Sequence, residues 1–291
     1  MEEQLDSSCR IIVNDNYMQE FHLSDPHFKK VVGYICGESA PKSWKQPFLF
    51  KENTSYLYQL QSGPCGLFAV MQAYIVKISG KNPNFFPKAC LWEAIIEIMQ
   101  KIRGAYVFCT GIDFERKIIT WKSTSDKYIA QTFLGNSGWT DDPNATLNFV
   151  ASIVILLGPS FLKFYSIPDH FIAEDGYTNM TFVLLLITGE VVDSFIDGNQ
   201  SIGGMTSKGL LNNPEFGLIA TSDVQVYQKV GKLFAQPREK IFIAYYGSHF
   251  NTLVKGSNGF FELDSLSKRL WMPLSPKHAF YSQLQQICTQ L

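Results

Sequence analysis

The chain has 291 residues, of which 46% are hydrophobic, 14% aromatic and 18% charged, with a formal net charge of -1. That composition excludes a disordered chain, which carries few aromatics and a large net charge, and the near-zero charge argues against nucleic-acid binding, which rests on a basic excess. The length suffices for one large domain or two smaller ones; with no repeats, low-complexity run or clear linker, one mixed domain over 1–291 is the expectation.

Residues 1–43 show weak periodicity, and the acidic, polar start MEEQLDSSCR lacks the basic and apolar runs of a secretory signal. WKQPFLF (44–50) leads into a short strand, and YLYQLQSGPCG (56–66) is rich in turn formers. LFAVMQAYIVKI (67–78) is apolar at 67, 68, 70, 71, 74, 75 and 78, which is helical spacing with a wide buried stripe. KNPNFFP (81–87) reads as a loop and LWEAIIEIMQKI (91–102) as a second helix. Within 105–134 the runs AYVF, KIIT and YIAQTFL read as short strands. GNSGWTDDPNA (135–145) reads as a loop whose Asp141 or Asp142 caps the helix TLNFVASIVILL. YTNMTFVLLLITG (177–189) is a helix ending at a Gly189 cap, and DGNQSIGGM (197–205) a Gly-rich loop without a phosphate-binding pattern. KIFIAYY (240–246), HFNTLV (249–254) and FFELD (260–264) read as strands, with GSNG (256–259) a hairpin between the last two.

The longest apolar runs, 149–157 and 180–187, are too short to span a bilayer, so no membrane partner is expected. Six cysteines at 9, 36, 65, 90, 109 and 288 form no CxxC pair and no Cys/His cluster with zinc spacing. They read as free thiols of a reducing compartment, cytoplasmic with the nucleus also open, and neither metal nor cofactor is expected. The sequons at Asn53, Asn144 and Asn179 are then chance matches.

One cysteine has a distinctive setting. Gly63-Pro64-Cys65 stands where a loop enters a strongly patterned helix. Proline suits a first helical turn, and the unpaired N–H groups and positive dipole end there favour a thiolate, the nucleophilic form. Gln59, six residues upstream, carries an amide that can donate to a developing oxyanion. A cysteine nucleophile needs a base. Of five histidines, His22 and His27 lie in the poorly patterned start, His170 follows a loop proline at one residue's remove, and His278 is near the C-terminus. His249 opens a strand and shares a face with Asn251 and Leu253. With GSNG as the loop, Lys255 pairs with Phe260 and Asn251 with Asp264, which makes Asp264 a diagonal neighbour of His249. Asp264 or, alternatively, Asn251 would then orient the imidazole. A register slip of one residue would turn Asp264 to the other face.

These segments resemble a known family. QLQSGPCGLFAVMQAYI is similar to the catalytic-cysteine segment of the MINDY deubiquitinases, in particular the subgroup with a GGPCG-type motif, and ESAPKSWKQPFLF to that subgroup's lead-in. TFVLLLITGEVVDSFIDG is similar to a leucine-rich family segment, and the stretch from Pro214 to SHFNTLV to a region ending in Ser-His-Phe. The four blocks run in the family's order over roughly 38–270. Ser62 replaces the first glycine of the motif, and Asp264-Ser265-Leu266 stands near a family Asp-Gly-Leu stretch. The compact chain resembles a reduced homologue of the kind a virus or parasite encodes.

The resemblance implies an α+β fold of papain-like cysteine protease architecture, with the nucleophile's helix packed against an antiparallel sheet bearing the histidine. It implies a monomeric isopeptidase acting on ubiquitin or polyubiquitin chains, with Cys65 as nucleophile, His249 as base and acid, and Gln59 at the oxyanion. Trp44 and Tyr246, next to the motifs, are candidates for lining a groove for the ubiquitin tail. Two alternatives stand beside it: a catalytically weak or inactive ubiquitin-binding module on the same fold, and a papain-like protease for another ubiquitin-like modifier.

Overall fold

The protein mixes helices with sheets, and the computed structural model describes residues 10–12, 18–23, 27–81, 86–164, 170–192, 195–202, 205–220, 230–246, 248–257, 259–267, 272–275, 277–278 and 280–289. In chain order come β1 (Arg10–Ile12), β2 (Gln19–Leu23), α1 (His27–Cys36), a 3-10 turn (Lys42–Trp44), β3 (Leu49–Phe50), β4 (Leu57–Tyr58), α2 (Cys65–Lys81) and α3 (Pro87–Arg103). Then follow β5 (Tyr106–Asp113), β6 (Ile118–Thr124), α4 (Lys127–Ser137), a 3-10 turn (Trp139–Asp141), α5 (Ala145–Phe164) and α6 (Met180–Thr188). The last third holds β7 (Asn199–Ile202), β8 (Met205–Lys208), β9 (Gly217–Ala220), α7 (Lys232–Ala235), β10 (Ile241–Tyr245), β11 (Phe250–Gly256), β12 (Gly259–Leu263), β13 (Met272–Pro273) and α8 (Tyr281–Thr289). Two compact units result, one from Met1–Phe48 and Trp92–Gly176, the other from Leu49–Leu91 and Tyr177–Leu291.

The first unit holds an antiparallel sheet in the order β1-β2-β6-β5. Helix α5 packs on β5, where Ser152 Oγ accepts from the Cys109 N–H at 2.7 Å and the Trp139 indole donates to the Cys109 carbonyl at 2.6 Å. The run YIAQTFL, expected as a strand, lies in α4. The Asp126 carboxylate accepts from the N–H groups of Tyr128 (2.7 Å) and Ile129 (3.1 Å), and Gly138 at φ 68° closes the helix. Caps at both ends outweigh the strand preference of its aromatic and branched residues, which depends on context. The Asp142 carboxylate accepts from the Asn144 N–H at 2.7 Å just before α5 begins. Trp44 is fully buried and donates to the Gly176 carbonyl at 2.8 Å, so it is a core side chain and not a groove wall.

The second unit is built on a five-stranded sheet, β13-β12-β11-β10-β9. It is antiparallel except at β9–β10, which pair in parallel. The β11–β12 hairpin pairs Lys255 with Phe260 and Thr252 with Leu263, the register that GSNG predicts. Helix α2 lies against β11 and β10, and every residue from Cys65 to Ile75 is buried. Burial on all sides, rather than along one stripe, marks it as the unit's central helix. The Thr252 hydroxyl donates to the Ala69 carbonyl at 2.7 Å and ties β11 to it. Leu253 and Phe260 pack in a separate cluster with Phe242, Phe280 and Leu284.

Residues 197–205, expected as a loop, contain β7 and the start of β8, with Ile202 paired to Met205. The adjacent glycines between them are a hairpin signal in the sequence. The expected loop at 81–87 lies mostly outside the described residues, with Lys81 ending α2 and Pro87 opening α3 as a first-turn proline. Helix α6 starts at the Asn179 side chain, which accepts from the Thr181 N–H, and ends at Gly189 with φ 78°. Among the described residues no helix is long and apolar enough to cross a membrane.

Candidate active site

Gly63 has a φ of 130°, a conformation that favours glycine, and Cys65 is the first residue of α2, only 1% exposed. Its sulfur lies 3.9 Å from the Gly63 carbonyl and 3.9 Å from the Ser248 carbonyl. Thr178 secures this corner from a distant part of the chain. Its N–H and its hydroxyl both donate to the Gly63 carbonyl, at 2.9 and 3.0 Å, and the hydroxyl accepts from the Gly66 N–H at 3.2 Å. The loop carbonyl before the thiol and the N–H after it are thus fixed by one side chain.

The approach is too close for any residue but glycine at 66. A Cβ there would stand 2.8 Å from Cβ and Cγ2 of Thr178 and 2.8 Å from Cγ2 of Val183. Gly66→Ala is therefore expected to destabilise the protein by about 2–3 kcal/mol, the usual scale of overpacking, read as a lower urea midpoint at unchanged slope.

His249 follows Ser248 just ahead of β11, and Asp264 follows the end of β12, so both leave the sheet at one end. His249 Nε2 stands 3.0 Å from Asp264 Oδ1. An ionised carboxylate only accepts, so Nε2 donates and Nδ1 is left for the thiol. Burial pulls the His249 pKa down, but hydrogen bonds to Asp264 and Cys65 and the charge on both outweigh it and raise the value from 6.5 to about 10. Burial alone would raise the Asp264 pKa. The His249 hydrogen bond, the Leu266 N–H at 2.9 Å, and the charges of His249 and Lys51 reverse that and hold it below 3.8. A thiol, an imidazolium and a carboxylate in one chain of contacts is an arrangement able to carry out nucleophilic acyl transfer.

Asn251, the other candidate for orienting the ring, is turned elsewhere. Its amide donates to Glu262 Oε1 at 2.7 Å, and Tyr246 donates to the same oxygen at 2.6 Å and contacts His278 Nε2 at 3.1 Å. Tyr246 is thus half-buried in a polar network, and burial followed by the Glu262 contact pushes its hydroxyl pKa well up.

Gln59 is 5% exposed. Its N–H donates to the Ser265 carbonyl at 3.1 Å, and its Oε1 accepts from the Ser265 hydroxyl at 3.2 Å, while its Nε2 is buried with no hydrogen-bond partner. Two further contacts fasten the same loop: the Tyr56 hydroxyl donates to the Asp264 carbonyl at 2.7 Å, and Lys51 Nζ to the Ser267 carbonyl. Sequence reasoning missed Thr178, Tyr56 and Lys51, whose contacts span 112, 208 and 216 positions and leave no local trace. Ser265 had one signal, its place beside Asp264. Among the described residues no group of three or more His, Cys, Asp or Glu side chains could hold a metal ion.

No family model matches the chain, and no solved structure does. Over 101 residues it is 27% identical to the ubiquitin carboxyl-terminal hydrolase MINDY-3 homolog of Drosophila melanogaster, covering 35% of this chain and 16% of that protein. Over 298 aligned positions it is 22% identical to the ubiquitin carboxyl-terminal hydrolase MINDY-3 of Danio rerio, covering 79% of this chain and 65% of that protein. The chain therefore matches less than two thirds of the length of either relative. Its similarity to MINDY-3 ubiquitin hydrolases, at low identity, agrees with the family resemblance of its motifs.

Proposed function

We propose that this chain is a papain-like cysteine isopeptidase that hydrolyses ubiquitin conjugates through a thioester. The observation that carries the reading is His249, which hydrogen-bonds Asp264 at 3.0 Å and bears on Cys65 at the start of α2. Cys65, as a thiolate, attacks the carbonyl carbon of the bond after the ubiquitin C-terminal glycine. The charge that develops on the carbonyl oxygen is met by the Gln59 Nε2 donor and by the Cys65 main-chain N–H, which at a helix start has no intrahelical acceptor. His249 gives its proton to the departing lysine amine, the C–N bond breaks, and a thioester remains on Cys65. Water then adds to the thioester while His249 takes its proton, which frees the thiol and the ubiquitin carboxylate.

The test is to mix the protein with probes of ubiquitin and of other ubiquitin-like modifiers that carry a C-terminal electrophile, and to locate the adduct by peptide mass spectrometry. A ubiquitin adduct on Cys65 supports the reading. No adduct with ubiquitin, and no cleavage of any ubiquitin linkage by folded protein, would sink it.

Asp264→Asn is expected to lower kcat by about a hundred-fold or more, because the amide no longer holds the imidazolium in one orientation. A stability effect accompanies it. The folded pKa of Asp264 lies below 3.8, so its contribution is present above 3.8 and fades as pH falls through the folded value. Parent and variant should therefore differ in thermal midpoint at pH 6 and converge in strong acid.

A further inference from the structure

We infer that Ser265 is a positioning residue that fixes the Gln59 amide, so that its Nε2 end stays directed at the reacting carbonyl. The inference rests on the isopeptidase reading above. The terminal torsion of a glutamine is broad and roughly two-fold, so an untethered amide samples many orientations, including ones that present its oxygen. An oxygen directed at a developing oxyanion repels it. Here the amide oxygen is occupied by the Ser265 hydroxyl at 3.2 Å, and the main-chain N–H of the same glutamine is held by the Ser265 carbonyl at 3.1 Å. One residue thus grips Gln59 at backbone and side chain, and the only polar end left over is Nε2, buried and without a partner.

A buried amide donor with nothing to bond carries a free-energy penalty that a folded protein rarely tolerates without a use for it. In this chain the use is supplied by substrate. Ser265 is 8% exposed, so water competes little for the contact. Its neighbour Asp264 holds the His249 ring. The base and the oxyanion donor are therefore set by consecutive residues of a single loop, which Tyr56 and Lys51 clamp by its main-chain carbonyls.

The test uses steady-state hydrolysis of ubiquitin bearing a C-terminal fluorogenic amide by the full chain. Ser265→Ala is expected to lower kcat about tenfold, a fraction of the hundred- to thousand-fold scale for losing an oxyanion donor, with KM unchanged and the urea midpoint modestly lowered by the buried Gln59 Oε1 left without its partner. Gln59→Ala should show that larger loss, and the double variant should be no slower than Gln59→Ala alone. Ser265→Thr, which keeps the hydroxyl, should turn over like the parent and covers the case in which the alanine variant folds poorly. Parent-like kcat in Ser265→Ala, a loss expressed in KM alone, or losses that multiply in the double variant would each overturn the assignment while leaving the isopeptidase reading intact. A parent that hydrolyses no ubiquitin substrate overturns both.

Discussion

Cys65→Ala is expected to lower kcat by about 10^5- to 10^6-fold, the scale seen when a covalent nucleophile is removed, with the fold retained. The expected persistence of the fold follows from how little the sulfur does structurally: besides the His249 ring, its polar neighbours are two carbonyls at 3.9 Å, weak contacts for a thiol. The helix start is instead held by Thr178 through Gly63 and Gly66. The variant should keep the parent's unfolding free energy, read by urea titration, to within about 1 kcal/mol and should bind ubiquitin without forming an adduct. Cys36, Cys90 and Cys109 offer no substitute. Burial raises the pKa of Cys36 to about 11 and of Cys109 to about 12, and raises that of Cys90, so all three stay protonated at neutral pH. Turnover or adduct formation surviving in Cys65→Ala would remove the basis of the proposed chemistry.

The second large effect is expected at His249. His249→Ala should lower kcat by about 10^4-fold or more, since one residue serves as acid in the first step and base in the second. Its pH signature separates a working imidazole from a structural one. The folded pKa of about 10 lies above the ordinary 6.5, so the charged ring stabilises the fold fully below 6.5 and loses that contribution as pH rises through 10. Thermal midpoints of the parent should thus decline between these values more steeply than those of His249→Ala. Turnover should fall over the same upper limb, as the ring loses the proton that the leaving amine requires. Parallel midpoint curves for the two proteins, together with a residual rate near the parent's, would show that His249 is a bystander.

Much of the site was legible because its key residues carry local signals. Gly63-Pro64 before an apolar run announced the helix start at Cys65, and the GSNG turn fixed a register that put Asp264 on the diagonal from His249. What was not legible came from tertiary context. Asn251 and Asp264 both sit near His249 by register, and only the position of Glu262 decides that the asparagine is drawn away. YIAQTFL has strand-like composition, yet a single carboxylate at Asp126 starts a helix there. The Thr178 clamp could not be read from its own neighbourhood, which looks like an ordinary approach to α6.

The wide chain separation within the candidate site has a consequence for the order in which its parts are made. Cys65 and Ser248, which touch in the folded state, are 183 positions apart, and Gln59 and Ser265 are 206 apart. At about 5–20 residues per second, a ribosome that has made Cys65 needs roughly 10–40 seconds to reach His249. Throughout that interval the nascent chain carries Cys65 without His249, Asp264 or Ser265. On the proposed reading a chain cut short before residue 264 would be an inert thiol, and the groups proposed to act together are all present only once residue 265 has been added.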